Sequence, residues 1–225
     1  MTAAPPPPTA VRAHVLIAVK DLDRAKTRLA SRLDAERRTA LVLAMLRDTL
    51  AAAGASEAVG EITVITPDRA VAAAAESAGA HWFPDRGGPG PDRLNAVLRS
   101  AAGAGGRGPV VALQGDLPCL TGRELTEALV AARPYRRAVV IDHHGTGTSA
   151  LIVADPAEGL APQFGPDSAR RHIDSGATAL AGHWPGLRLD VDTPDDLDAA
   201  AELGPGPATA EVLRTIGWRD PSRQC

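Results

Sequence analysis

Aromatic residues make up only 3% of the 225 positions in this sequence, so its core must be built from aliphatic side chains. Few rings also argue against a base-stacking surface, and the formal net charge of −3 gives no basic footprint for nucleic acid. Two cysteines, Cys119 and Cys225, cannot form a disulfide framework. The sequence has no apolar run of membrane-spanning length and no signal-peptide pattern at its start. We therefore expect a cytoplasmic protein without nucleic-acid or membrane partners.

Several common phosphate-binding and nucleophile motifs are also missing. The sequence has no Gly-x-x-x-x-Gly-Lys-[Ser/Thr] loop, no Gly-x-Gly-x-x-Gly after a strand and no Gly-x-Ser-x-Gly elbow. Cys119 has no visible partner base, which predicts a small buried side chain rather than a nucleophile. Lysine occurs only at Lys20 and Lys26. Two ammonium groups so close together indicate either a site that needs compact cations or chance.

The hydrophobic pattern predicts a single α/β domain with a mostly parallel sheet, flanking helices and a smaller hairpin edge. We expect a disordered Pro-rich leader at 1–13, the domain at 14–216 and a tail at 217–225. Strands are predicted at 14–19, 61–66, 80–83, 110–114, 138–142 and 150–153. Helices are predicted at 34–53, 70–77, from 93 onward, at 123–132, from about 168 to 175, at 195–202 and at 206–216. Asp34 is the expected N-cap and Gly54 the expected stop of the first helix, and Thr193 is the expected N-cap of the helix at 195–202, with Pro194 at its first position.

Carboxylates follow two short apolar runs in this pattern. Asp116 comes directly after the strand predicted at 110–114, and Asp190 and Asp192 follow the apolar stretch 186–189, which we interpret as another strand tip. In open α/β sheets, ligands bind at the carboxyl ends of the strands. Mg²⁺ prefers a few carboxylates together with phosphate oxygens. The sequence therefore predicts that the two tips meet and hold Mg²⁺ against a phosphorylated substrate.

The polar segment 20–28 follows the first predicted strand and holds both lysines. If this segment is extended, Lys26 and Arg28 point the same way, because side chains alternate along an extended chain. Such a cationic pair suits a triphosphate. A solvated loop explains the same residues equally well.

Four further features bear on binding. His143 and His144 suggest zinc, but no cysteine or third histidine has ligand spacing. Backbone N–H groups of the Gly-Thr-Gly-Thr stretch at 145–148 could receive a small anion. The helix start near Ser168 could attract phosphate or carboxylate, with an N-cap at Asp167 as the structural alternative. Asn95 could read a base edge, although helix capping is its commoner role.

Taken in order, these motifs resemble the guanylyltransferases of coenzyme F420 biosynthesis over about residues 14–216. The resemblance is strongest to the actinobacterial branch and implies a single-domain, GT-A-like nucleotidyltransferase fold. The matching motifs are Ile17-Ala-Val-Lys20, Ala25-Lys26-Thr-Arg28-Leu29, Leu94-Asn95, Leu113-Gln-Gly-Asp116-Leu-Pro118, Gly145-Thr-Gly-Thr148, Phe164-Gly165-Pro-Asp-Ser168 and Leu189-Asp190-Val-Asp192-Thr-Pro194.

The resemblance also implies roles for particular residues. It implies that the metal is bound by Asp116, Asp190 and Asp192. It implies that phosphoenolpyruvate is bound by Thr148, Gly165 and Ser168, and that guanine or ribose is contacted by Asn95. The Gly-rich signature of sugar nucleotidyltransferases is absent after the first strand. Triphosphate binding therefore shifts to Lys20, Lys26 and Arg28, and these three with Asp116 are the expected catalytic residues.

The implied reaction transfers GMP from GTP to phosphoenolpyruvate. It releases pyrophosphate and forms enolpyruvoyl-2-diphospho-5'-guanosine, which would pass to the next enzyme of the pathway. The archaeal branch instead implies 2-phospho-L-lactate, and another phosphorylated three-carbon acid or a molybdopterin is a further alternative acceptor. A nucleotide-binding domain that lacks turnover is the alternative outside enzymes.

Overall fold

The computed structural model describes residues 12–22, 25–85, 90, 92–104, 108–155 and 158–218. Most of the predicted leader, the tail from residue 219 and most of the loop at 85–92 lie outside these ranges. Within them, no helix combines the length and the apolar character needed to cross a bilayer.

The strands of the described residues form one sheet in the order β3-β2-β1-β4-β6-β5-β7. β6 runs antiparallel to its neighbours β4 and β5, whereas the other neighbouring pairs are parallel. The predicted α/β class, the mostly parallel sheet and the β5–β6 hairpin are therefore confirmed. The strands are β1 (Ala13–Ala18), β2 (Val59–Thr66), β3 (His81–Pro84), β4 (Val110–Leu113), β5 (Arg137–Ile141), β6 (Thr148–Val153) and β7 (Thr178–Ala179).

Apolar cores lie on both faces of this sheet, because successive strand side chains point to opposite faces. In β1, Val15 and Ile17 belong to one core and Leu16 to the other. The central strand β4 is apolar and buried at every position, as expected for a strand that is covered on both sides. The helices that cover them are α1 (Ala35–Ala55), α2 (Arg69–Ser77), α3 (Arg93–Gly103), α4 (Gly122–Ala132), α5 (Ser168–Asp174), α6 (Pro185–Arg188), α7 (Pro194–Leu203) and α8 (Pro207–Thr215).

Predicted capping residues set two important helix starts. The Asp34 carboxylate accepts a hydrogen bond from the Arg37 N–H at 2.8 Å and begins α1. Thr193 begins α7, with Pro194 as the first helical residue, and forms a reciprocal capping box with Asp196. The predicted stop at Gly54 is wrong, since α1 continues to Ala55 and ends before Ser56.

The expected strand at 186–189 is also wrong. This stretch forms the one-turn helix α6, which begins at Pro185, a residue whose fixed φ suits the first helical position. Arg188 holds the turn in place, because its guanidinium donates to the carbonyl oxygens of Ile141 at 2.6 Å and Leu180 at 2.8 Å. Asp190 and Asp192 therefore follow a helix and an irregular segment rather than a strand tip.

Candidate active site

Asp116 lies at the sheet edge where β1 and β4 end. Gly115 precedes it and allows a close approach of the chains, since a Cβ there would lie 2.9 Å from the Ile17 Cγ2 atom. The Val191 N–H donates to the Asp116 carbonyl oxygen at 3.1 Å. This backbone bond ties the 190–192 segment to the end of β4, although their positions in the chain are far apart.

Lys26 bridges the two acidic segments. Its ammonium group donates to Asp116 Oδ2 and, at 2.7 Å, to Asp192 Oδ1. The Lys26 side chain is only 9% exposed. Burial alone would lower its pKa, but Asp116 and Asp192 outweigh burial and raise the pKa, so the lysine stays charged. Burial would likewise raise the pKa of Asp192, yet Lys26 and then Arg28 lower it.

Asp190 completes the acidic cluster without an ammonium partner of its own. Burial, followed by the charges of Asp116, Asp142 and Asp192, raises the pKa of Asp190 to about 7. The Oδ1 atoms of Asp116 and Asp190 are buried, and neither has a hydrogen-bond partner among the described residues. Buried polar atoms are almost always paired in native proteins. These two oxygens are therefore available to contact a ligand.

The segment that carries Lys26 is not extended, so the predicted reason for its alignment with Arg28 is wrong. Lys26 has a left-handed φ of 51° and precedes a 3-10 helix at Thr27–Ser31. Both cations nevertheless reach Asp192, since Arg28 Nη1 lies 3.9 Å from Asp192 Oδ2. Lys20 is exposed, and among the described residues it forms no ion pair with Asp116 or Asp192.

The three residues expected to hold the acceptor lie near one another at the start of β6. Because β6 runs antiparallel to β4, its first residue, Thr148, lies at the edge where β4 ends. Ser168 Oγ donates to Thr148 Oγ1 at 3.2 Å, and both side chains are buried. Gly165 precedes Ser168 in the chain and has a φ of +124°, and a Cβ there would lie 2.9 Å from Arg171 Nη2.

His172 supports this pair and was not predicted as a site residue. Its Nε2 atom accepts from the Gln163 N–H at 2.8 Å, so we assign the ring proton to Nδ1, which donates to Thr148 Oγ1 at 3.0 Å. Burial, and then the charges of Arg137 and Arg171, lower the pKa of His172 to about 4. The one signal in the sequence is its position four residues after Ser168, which places both on one face of a helix.

At two predicted anion sites, the protein itself already accepts hydrogen bonds from some of the backbone N–H groups. The N–H groups of Thr146 and Gly147 donate to the Asp142 carboxylate at 3.0 and 2.8 Å. The anion bound by this Gly-Thr-Gly-Thr backbone is therefore a side chain of the protein itself. The Ala169 N–H at the start of α5 donates to the Thr146 carbonyl oxygen at 3.0 Å. Asp167 occupies the N-cap position of α5, as the structural alternative predicted, but its side chain makes no capping hydrogen bond.

Asn95 and Cys119 are both buried, and both contact other parts of the protein. The Asn95 side chain pairs with the Phe164 backbone, accepting from its N–H at 2.8 Å and donating to its carbonyl oxygen at 3.1 Å. It lies inside α3 and does not cap it, so the capping expectation is wrong, and the contact with guanine or ribose stays a prediction. Burial, and then Glu124 and Asp48, raise the pKa of Cys119 to about 12, in agreement with an inert thiol.

Comparison with solved structures gives the class of the fold. The chain superposes on 4-diphosphocytidyl-2C-methyl-D-erythritol synthase from Anaerococcus prevotii with a TM-score of 0.55 and 12% identity, over 86% of this chain and 96% of the other. A cytidylyltransferase from Leptospira borgpetersenii gives a TM-score of 0.53 and 16% identity, over 95% and 96% of the two chains. The fold is thus the GT-A-like nucleotidyltransferase fold.

Sequence comparison gives the family. Residues 13–223 match the family model described as "Guanylyl transferase CofC like", and the chain belongs to that family. A protein from Rhodococcus jostii named phosphoenolpyruvate guanylyltransferase 1 is 55% identical, over 95% of this chain and 98% of its own. Phosphoenolpyruvate guanylyltransferase from Mycobacterium marinum is 52% identical, over 88% of this chain and 92% of its own.

Proposed function

We propose that this protein transfers GMP from GTP to phosphoenolpyruvate, with release of pyrophosphate, in the biosynthesis of coenzyme F420. The product would be enolpyruvoyl-2-diphospho-5'-guanosine. One observation carries the proposal: three carboxylates and the Lys26 ammonium converge at the sheet edge that also holds the Thr148–Ser168 pair. The names of the relatives from Rhodococcus and Mycobacterium support the same reaction.

A divalent metal, most simply Mg²⁺, fits the acidic cluster. Asp116 and Asp190 each have a buried carboxylate oxygen without a hydrogen-bond partner among the described residues. Asp192 forms an ion pair with the same Lys26 ammonium group as Asp116 does. These are the hard oxygen donors that Mg²⁺ takes in small number, with phosphate oxygens completing its shell. We propose that Asp116, Asp190 and Asp192 would hold it. When bound, the ion would neutralise charge on the triphosphate.

The cationic side chains would bind the triphosphate of GTP. Lys26 is buried and fixed between two carboxylates, so it supplies a positive charge at a defined place. Arg28 is 74% exposed and reaches the edge of the same cluster, which leaves its guanidinium free to meet phosphate oxygens. Lys20 is exposed after β1 and is proposed to contribute in the same way. These contacts would hold the α-phosphorus in place for attack.

The Thr148 hydroxyl is proposed to position the acceptor. Thr148 Oγ1 accepts hydrogen bonds from both Ser168 and His172, so its own proton is left to donate to an anionic oxygen. The Arg171 guanidinium next to Gly165 adds positive charge nearby. An acceptor with a phosphate and a carboxylate suits this combination. 2-Phospho-L-lactate shares both groups and is the alternative acceptor.

The reaction that follows needs no protein base. A phosphate oxygen of the acceptor, already ionised, forms a bond to the α-phosphorus of GTP while the bond to the β-phosphate bridging oxygen breaks. The electron pair leaves with pyrophosphate, so atoms and charge balance without proton transfer to the enzyme. Catalysis then consists of positioning and charge neutralisation. We extend the proposal to a cytoplasmic location and to transfer of the product to the next enzyme of the pathway.

A direct assay separates these possibilities. The purified protein is incubated with Mg-GTP and, in turn, phosphoenolpyruvate, 2-phospho-L-lactate and a molybdopterin, and pyrophosphate release and product mass are measured. We expect turnover with phosphoenolpyruvate. GTP binding without turnover on any acceptor would contradict the proposal and favour a non-catalytic nucleotide-binding domain.

The variant Asp116→Asn tests the acidic cluster in the same assay. We expect turnover to fall by about 100-fold or more, the scale on which charge-stabilising groups act in a transition state, while circular dichroism still shows a folded protein. Asp174→Asn is the matched control, because Asp174 is exposed and pairs only with exposed Arg170 in the described geometry. Substantial residual activity in Asp116→Asn would contradict the role of this carboxylate.

A further inference from the structure

A second group of donor atoms lies beside the acidic cluster, where the β5–β6 turn meets the start of α7. Asp196 Oδ1 lies 2.9 Å from His143 Nε2 and 3.0 Å from His144 Nε2. One donor atom from each residue lies within 4.8 Å of the others. Sequence spacing shows only two adjacent histidines, whereas the fold supplies a third donor from a distant helix.

The Asp196 carboxylate is held in one orientation. Its side chain is 2% exposed, and its Oδ2 atom accepts from the N–H groups of Asp192 at 3.0 Å and Thr193 at 2.7 Å. Oδ1 is therefore turned toward the two histidines.

The contacts of His143 call for a cation at this position. Its Nδ1 atom lies 3.3 Å from the Arg188 carbonyl oxygen and 3.6 Å from Asp190 Oδ1, while its Nε2 faces Asp196. A neutral imidazole has one N–H and one lone pair. Whichever nitrogen carries the proton, the other directs a lone pair at an oxygen atom. Either a second proton or a metal ion relieves this repulsion.

A metal fits this geometry for a further reason. Histidine ligands commonly donate their second ring N–H to a carbonyl or carboxylate oxygen, which fixes the ring. The Arg188 carbonyl and Asp190 stand at that second nitrogen of His143. The His144 side chain is 55% exposed, so solvent can reach the remaining coordination position. Two imidazoles, one carboxylate and water form a donor set typical of zinc.

We propose that His143, His144 and Asp196 bind one borderline divalent cation of the Zn²⁺ class, separate from the carboxylate site at Asp116. The ion would join the β5–β6 turn to the first turn of α7. Because Asp196 holds the backbone of Asp192 and Thr193, the ion would also fix the segment that carries the acidic cluster. This proposal does not depend on the proposed transferase activity.

The test uses metal-free full-length protein in excess Mg²⁺, which occupies the carboxylate site. Zn²⁺ is titrated by calorimetry, and Co²⁺ is followed by its visible absorption as a spectroscopic substitute. We expect one equivalent to bind. His144→Asn should weaken Zn²⁺ binding by at least about 10–100-fold. That is the loss of affinity expected when only a hydrogen-bond partner of a ligand is removed, and His144 is itself a proposed ligand. His183→Asn is the matched control, since His183 is also exposed, and should bind as the unaltered protein does.

Nuclear magnetic resonance of the unaltered protein supplies a second readout that does not depend on a variant. On addition of Zn²⁺, the imidazole signals of His143 and His144 should shift together, while those of His81 and His183 stay in place. Equal affinity in His144→Asn, loss of binding in Asp116→Asn instead, a response confined to other histidines, or no Zn²⁺ binding at all would each overturn the proposal.

Discussion

His172 is expected to weaken the protein in a defined range of acidic pH. The pKa of this side chain is about 4 in the folded protein and 6.5 ordinarily, so the folded state binds fewer protons between these values. The free energy of unfolding must then fall as pH drops from about 6.5 to about 4. A gap of about 2.5 units at 1.36 kcal/mol per unit gives a loss of about 3 kcal/mol.

The structure explains why protonation is costly there. His172 Nε2 accepts the Gln163 N–H, and a proton on Nε2 would place two donors against each other. The buried ring also lies in the field of Arg137 and Arg171. Other groups titrate in the same range, including Asp190, whose raised pKa gives the opposite slope. The effect of His172 must therefore be isolated by comparison with a variant that cannot titrate.

The measurement is urea unfolding of the unaltered protein and of His172→Gln at several pH values from 7.5 to 4. We expect the stability difference between the two proteins to shrink by about 3 kcal/mol as the pH falls. The Michaelis constant for phosphoenolpyruvate should rise over the same range, because His172 positions Thr148. A stability difference that does not change with pH would refute the reasoning.

Two further variants separate function from stability. Asp190→Asn should abolish turnover and yet raise the free energy of unfolding of the metal-free protein at pH 8 by up to about 4 kcal/mol. The reason is that the raised pKa of about 7 marks a carboxylate whose charge is disfavoured in the folded protein. Equal or lower stability of Asp190→Asn in urea unfolding would contradict this. Asn95→Leu should lower the free energy of unfolding by about 1–3 kcal/mol, because it leaves the Phe164 N–H and carbonyl unpaired. An unchanged urea midpoint would show that those groups find other partners.

The central strands of the sheet could be predicted from the sequence because they are buried, mostly apolar runs. Residues 110–113 and 148–153 are buried at every position, and such runs suit a sheet covered on both faces. β7 has only two residues and leaves no periodic signal. The stretch 186–189 is also short, and its helical form depends on Pro185 and on the bonds of Arg188 to distant carbonyls.

The site could be predicted in composition more fully than in geometry. The Asp116, Asp190 and Asp192 motifs stand out in the sequence, and the fold brings the segments together through Lys26 and the Val191 backbone. The left-handed turn at Lys26 could not be foreseen, since tertiary ion pairs rather than local propensity stabilise it.

Contacts between distant segments were hidden for the same reason. The Phe164 backbone, 69 residues away in the chain, occupies the Asn95 amide. Asp196 reaches His143 and His144 across more than fifty residues of chain. No spacing rule detects such partners, because they depend on how the elements pack.

The most direct measurement is the anomalous scattering of Mn²⁺ in crystals of the protein grown with GTP. Mn²⁺ takes the place of Mg²⁺ on hard oxygen donors. We predict a peak bounded by the carboxylates of Asp116, Asp190 and Asp192, beside the triphosphate. A Mn²⁺ peak that contacts the nucleotide but none of these three carboxylates would contradict the account.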